Sequence, residues 1–187
     1  MSEYHILVNR EHPLSKDYVP GDLKEACFPF LAEPGDPKRL LRQTACQAAQ
    51  KLFTRARGQG LCLWGISGYR SYARQEEIFR RRLSQAGAAH AQAYLAPPGC
   101  SEHQTGLALD VSSPEISYEL EETFAQTSEG RFLTKHAAFY GFILRYPKGK
   151  EAITGYAWEP WHIRYVGRPL ALYLSFTGLT LEEYLAL

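Results

Sequence analysis

The 187-residue sequence predicts an α+β fold, a small antiparallel sheet of four or more strands with helices packed against it. Three observations lead there. The stretch "GLALDVS" (106–112) alternates apolar and polar residues as a half-buried strand does, with Leu107, Leu109 and Val111 on one face. Short apolar or aromatic runs at 61–67, 142–146 and 161–166 supply three more strands. The helical patterns between these runs do not alternate with them as parallel crossover units would.

Taken in chain order, residues 1–35 are rich in Pro, Gly and charge without a sustained period, and are expected to form an ordered arm over a single domain spanning 1–187. Asp36 followed by Pro37 is a helix start, an N-cap with proline at the first helical position. The helix it opens carries Leu40, Leu41, Ala45, Ala48, Ala49, Leu52, Phe53 and Ala56 on one face and ends near Gly58 or Gly60. After the strand at 61–67, "GYRS" reads as a tight turn and 72–83 as a helix whose arginines 80–82 mark a solvated face. A short helix is expected at 88–94, a loop from 96 to 105, the strand at 106–112 and a helix at 114–126. Residues 131–140 form a further helix closed by Gly141. The strand at 142–146, a loop and the strand at 161–166 follow. Thr180 and Glu183 make a capping box that opens a last helix.

Bulk composition excludes several classes of function. With 45% hydrophobic and 22% charged residues and a formal net charge of +1, nothing invites a polyanion, and nucleic acid is not expected as a partner. The longest apolar run, at 61–66, falls far below the roughly 20 residues of a membrane span. The stretch "MSEYHILVNREHPL" has neither the basic region nor the apolar core of a signal peptide. A monomer is expected. Cys27, Cys46, Cys62 and Cys100 contain no C-x-x-C pair; Cys46 and Cys62 read as small buried hydrophobes and Cys100 as a poor metal candidate.

Asp110 is the residue this pattern does not explain, because a carboxylate inside a strand is costly when buried. His103 lies in the loop feeding the same strand, and Glu159 and His162 stand at the start of another, separated by Pro160, which interrupts a regular ladder. Two histidines and one carboxylate form a three-ligand set with an open fourth position, the arrangement of catalytic rather than structural zinc. A spare glutamate beside such an ion can take a proton from water and pass it to a departing amine. His5, His12, His90 and His136 read as satisfied or surface histidines.

The blocks "SGYRSYARQ" (67–75), "SEHQTGLALDV" (101–111) and "EPWHIRYVG" (159–167) resemble the signature segments of VanY-type D-alanyl-D-alanine carboxypeptidases. These belong to the wider lysostaphin, D-Ala-D-Ala metallopeptidase and hedgehog superfamily, with its S-x-H-x-x-G-x-A-x-D and E-x-W-H motifs. The opening 7–23 also resembles the start of such domains. The resemblance implies one Zn2+ per chain on His103, Asp110 and His162, with Glu159 as catalytic base and Arg70 directed at the scissile carbonyl or the substrate carboxylate. It implies substrate contacts at Gln75, Ser101, Tyr146 and Trp161. The implied activity is D,D-carboxypeptidase hydrolysis of the terminal D-Ala-D-Ala bond of peptidoglycan stem peptides. The same ligands and base would serve an L,D-carboxypeptidase acting on tetrapeptides. Pro160 stands where a bulky aromatic marks the dipeptidase branch. A non-catalytic, zinc-stabilised module that binds peptidoglycan or a protein is the reading from another class, and Glu159 and Arg70 argue against it. Such substrates place the protein outside the cytoplasmic membrane, at the wall or membrane surface, with any signal or anchor absent from this chain; precursors or recycled peptides are the cytoplasmic counterpart.

Overall fold

The structure, a computed structural model, describes residues 3–86 and 95–187. The helix expected at 88–94, with His90, lies outside the described residues. Among the described residues there are six short strands: β1 Leu23–Glu25, β2 Leu40–Arg42, β3 Trp64–Ser67, β4 Ala108–Ser112, β5 Phe142–Leu144 and β6 His162–Tyr165. The first two form an antiparallel pair, and the other four form one antiparallel sheet in the order β3-β4-β6-β5. The α-helices are α1 Gln43–Arg57, α2 Tyr72–Ala86, α3 Ser128–His136, α4 Glu151–Thr154, α5 Arg168–Thr177 and α6 Leu181–Leu185.

One face of the sheet makes the core. Leu107, Leu109, Val111, Phe142, Ile163 and Tyr165 pack with Ala45, Ala49, Leu52, Phe53 and Ala56 of α1 and with Leu133 of α3. This is what alternation requires, since every second side chain of β4 points to the same layer. The opposite face carries Asp110 on β4 and His162 and Arg164 on β6, all buried. Asp110 sits across from Ser67 on one side and from His162 on the other. Polar groups are therefore concentrated on the central strands, away from the leucine layer.

Several elements differ from expectation for identifiable reasons. Asp36 caps only a 3₁₀ turn, Pro37–Arg39, accepting from the Lys38 N–H. Leu40 and Leu41 leave the helix because residues 40–42 pair with 23–25 of the arm, a non-local contact that outweighs local helical spacing. Helix α1 begins at Gln43, whose N–H donates to the Asp22 carbonyl. The helix expected at 114–126 is two 3₁₀ turns, Pro114–Ile116 and Glu122–Gln126, separated by Ser117 and Tyr118 at φ 54° and 63°. Helix α3 starts three residues earlier than expected because Thr127 accepts from the Gly130 N–H. The loop after β5 holds the one-turn helix α4, and α5 was not anticipated. The Thr180–Glu183 capping box is formed as expected. Cys62 is exposed rather than buried, while Cys46 is buried.

The arm is fastened to the sheet at several points. Leu14 N–H donates to the Gly99 carbonyl, Gln104 Nε2 to the carbonyls of Ser15 and Tyr18, and Arg164 Nη2 to those of Tyr4 and Ile6. No described helix is long and apolar enough to cross a membrane.

Candidate metal centre

His103 enters the site on a 3₁₀ turn, Glu102–Thr105, that ends at Gly106 in the left-handed region (φ 66°). A side chain at Gly106 would be strained there and would also meet Leu23 at 2.8 Å. Within the turn, Thr105 Oγ1 donates to the Glu102 carbonyl and accepts from the Leu107 N–H, which carries the chain directly from His103 into β4. His162 begins β6 opposite Asp110, so sheet register brings together residues 52 apart in the chain. Glu159 is held in the preceding turn, its N–H donating to the Tyr146 carbonyl and its own carbonyl accepting from the His162 N–H.

His103, Asp110 and His162 converge, each offering a ligand atom within 4.8 Å of the others. His103 Nδ1 lies 2.7 Å from the Gly68 carbonyl oxygen. A carbonyl can only accept, so that nitrogen carries the hydrogen and Nε2 keeps its lone pair. Nε2 is 3.1 Å from Asp110 Oδ2. Burial lowers the His103 pKa and the nearby Asp110 charge only partly opposes it, so the neutral ring presents one acceptor to another. Such a contact calls for a cation. Asp110 Oδ1 meets His162 Nδ1 at 2.8 Å. Burial alone would lower the His162 pKa, but the carboxylates of Asp110 and Glu102 raise it to about 10. Burial would raise the Asp110 carboxyl, but the hydrogen bond and charge of His162 hold it well below the usual range. A metal ion fits this donor set in chemistry and position: two imidazole nitrogens and a carboxylate, all buried, with the His103 ring fixed from behind by the Gly68 carbonyl and the His162 ring stacked on Tyr146.

Glu159 is the group left over. Its Oε2 lies 3.9 Å from His162 Nδ1, and its side chain keeps 24% of its exposure. Burial, with Asp110 and Glu102 nearby, pushes its pKa up to about 7, although His162 and Arg70 pull it down. Arg70 sits on the same side, its N–H donating to the His103 carbonyl. Its guanidinium donates to Gln75 Oε1 at 2.8 Å and to Ser67 Oγ at 3.3 Å, in the fields of Asp110 and Glu159.

The four expected substrate contacts occupy unequal positions. Gln75 is 1% exposed, with its oxygen on Arg70 and its nitrogen on the Ala96 carbonyl, so its polar ends steady the arginine. Tyr146 is buried and stacks on His162 with ring centroids 4.9 Å apart, backed by Tyr156 at 4.8 Å. Trp161 packs against the core cluster, and Ser101 is buried at the start of the His103 turn. Cys100 is not in the metal-binding group; its carbonyl accepts from Tyr156 Oη.

Sequence reasoning missed the charges beneath this site. Glu102, Arg145 and Arg164 are buried, and Glu102 Oε1 accepts from Arg145 Nε and Arg164 Nη1 at 2.7 Å each. Arg145 also forms a two-pronged pair with Glu182 of α6 at 2.8 and 2.5 Å. Glu102 was within reach, being next to His103 in a turn. Arg164 follows His162 by two along a strand and so shares its face.

The family model described as VanY, D-alanyl-D-alanine carboxypeptidase, matches residues 38–168, a stretch that contains every member of the cluster. The chain belongs to the VanY D-alanyl-D-alanine carboxypeptidase family. Among curated relatives, the putative carboxypeptidase YodJ of Bacillus subtilis (strain 168) is 46% identical over 178 residues, covering 95% of this chain and 65% of YodJ. The chain thus spans just under two thirds of that relative's length. Among solved structures, the LdcB LD-carboxypeptidase aligns with a TM-score of 0.92 and 45% identity over 96% of this chain and 84% of its own. VanYB in complex with D-alanine-D-alanine aligns at 0.80 and 34% identity, over 99% of this chain and 98% of that one. A mutant of the D,D-pentapeptidase VanY from a VanB-type resistance cassette, in complex with Zn(II), aligns at 0.77 and 34% identity, over 97% and 98%. The α+β expectation, with its antiparallel four-stranded sheet, is the fold that VanY-family zinc peptidases share with this chain.

Proposed function

We propose that this protein is a zinc-dependent carboxypeptidase that removes the C-terminal D-alanine from peptidoglycan stem peptides. The observation that carries the reading is the acceptor-to-acceptor contact of His103 Nε2 with Asp110 Oδ2, beside His162 and with Glu159 left unliganded. His103, Asp110 and His162 would hold the ion. When bound, zinc supplies positive charge that acidifies a water molecule and polarises the scissile carbonyl. Glu159 is the general base: a carboxyl raised to about 7 accepts a proton at neutral pH and can return it to the departing amine. Arg70, held by Gln75 and Ser67, offers its fork to the peptide's terminal carboxylate or its charge to the developing oxyanion. Tyr146 and the sheet register keep His162 in place, so the base and the ion site share one rigid support.

The family description favours a D,D-carboxypeptidase acting on pentapeptides. Greater likeness to the LdcB LD-carboxypeptidase, TM-score 0.92 against 0.80 for VanYB, favours the L,D form acting on tetrapeptides. Mass spectrometry of synthetic muramyl pentapeptide and tetrapeptide after incubation with zinc-loaded protein separates the two. Loss of one alanine from the pentapeptide alone identifies the D,D form, and loss from the tetrapeptide alone the L,D form. Failure to cleave either, with zinc bound at one per chain, would refute the enzymatic reading and leave a binding module.

A further inference from the structure

The Glu102 carboxylate is expensive to bury and is not needed to hold a metal ion. Its side chain has no exposure, and its Oε1 is fully engaged by Arg145 and Arg164. Its Oε2 makes no hydrogen bond, nor does His162 Nε2, and both atoms are buried. These two unpartnered atoms face each other at 3.6 Å. That is too long for a hydrogen bond, and an approach of under about 1 Å would make one. Glu102 is also adjacent to His103, so the 3₁₀ turn that delivers one candidate ligand delivers the group behind the other.

We propose that Glu102 is a positioning residue that fixes His162 with its hydrogen on Nε2, leaving Nδ1 to face Asp110 and the metal. A histidine ligand needs such a partner, because imidazole has two nitrogens and only an acceptor behind one commits the other to the ion. Asp110 cannot do this, since it touches Nδ1 itself. Arg145 and Arg164 keep Glu102 anionic and immobile by claiming the oxygen that points away from His162. Arg164 Nη2 also holds the carbonyls of Tyr4 and Ile6, and Arg145 holds Glu182, so the arm and α6 brace the carboxylate from both sides. Glu102 touches neither substrate nor ion in this arrangement; it acts through His162.

The inference rests on the proposed role of His162 as a metal ligand and is tested by metal affinity rather than turnover. Zinc binding is measured by competition with a chromophoric chelator for the parent, Glu102→Gln, Glu102→Asp and Glu182→Gln. Glu102→Gln should weaken zinc about 10–100-fold and change the absorption spectrum of the cobalt(II) form. Glu102→Asp keeps the charge for the arginines but withdraws the oxygen from His162, so it should lose affinity while keeping more of the fold's stability. Glu182→Gln breaks the outer Arg145 pair and should lower the melting temperature with zinc affinity within about twofold of the parent. If Glu102→Gln folds and binds zinc as the parent does, the inference is overturned. If it does not fold, Glu102→Asp decides by the same criterion. Affinity lost equally in Glu182→Gln would also overturn it, since general weakening of the network would then suffice. A parent that takes up no zinc would instead remove the metal reading on which this depends.

Discussion

Replacing Glu159 with glutamine tests the base through stability and catalysis together. Raising a carboxyl from 4.5 to about 7 means that ionising it in the metal-free site costs about 3 kcal/mol more than in the unfolded chain. The sign follows from proton counts. Below pH 4.5 the group is protonated in both states and contributes nothing; between 4.5 and 7 the folded state holds the proton that the unfolded state has released, so stability falls as pH rises; above 7 the cost is complete. Glu159→Gln removes it. In chelator, the variant should match the parent near pH 4.5 and exceed it by up to about 3 kcal/mol at pH 8, or roughly 6–10 °C in melting temperature. Zinc should shrink the gap, because the ion's charge favours the carboxylate. Peptide hydrolysis by the zinc-loaded variant should fall by at least about 100-fold with zinc retained. Thermal unfolding across this pH range and a D-alanine release assay check the two halves. A stability difference independent of pH, or undiminished hydrolysis, would refute the assignment.

Three further outcomes are expected. Asp110→Ala should abolish stoichiometric zinc uptake, measured by metal analysis after dialysis, because it removes the carboxylate that both histidines face. Zinc affinity should rise about tenfold per pH unit between pH 7 and 9, since His162, raised to about 10, must give up one proton for the ion; competition titrations would show a flat profile if that proton were absent. Gln75→Leu should lower kcat/KM roughly 10–100-fold with zinc content unchanged, because Arg70 loses its 2.8 Å anchor.

The sheet was legible because it depends on local pattern, whereas the convergence of His103, Asp110 and His162 depends on register between distant strands and was signalled by residue type and the family motifs. Alternation in 106–112 sets the leucine face against the Asp110 face, and the E-P-W-H spacing brings His162 to the start of a strand. The errors occur where a distant segment decides. Leu40 and Leu41 carry helical spacing yet pair with the arm, and Ser117 and Tyr118 take left-handed backbone that no hydrophobic count reveals. The family resemblance implies substrate contacts at Gln75, Ser101, Tyr146 and Trp161. In the fold Gln75 holds Arg70, Tyr146 stacks on His162 and Trp161 packs against the core, contacts that the sequence does not show. The ion network escaped notice because arginine in a strand reads as a solvated residue until the pairing partner, 62 positions away for Arg164 and Glu102, is known.

That network also bears on the base. Asp110, Glu102 and Glu159 are three carboxylates near one histidine, and the charges of Asp110 and Glu102 both disfavour ionisation of Glu159. Without Arg145 and Arg164, the Glu102 charge would act on Glu159 uncompensated, and burial would push Glu102 itself toward its neutral form. A neutral Glu102 could donate to His162 Nε2 rather than accept from it, which would favour the wrong tautomer. The paired arginines hold the Glu102 pKa well below the ordinary carboxylate range despite its complete burial. They therefore separate two acids of one chemical type: Glu102 is kept permanently charged to orient a ring, and Glu159 is left near 7, where a proton can move on and off at neutral pH.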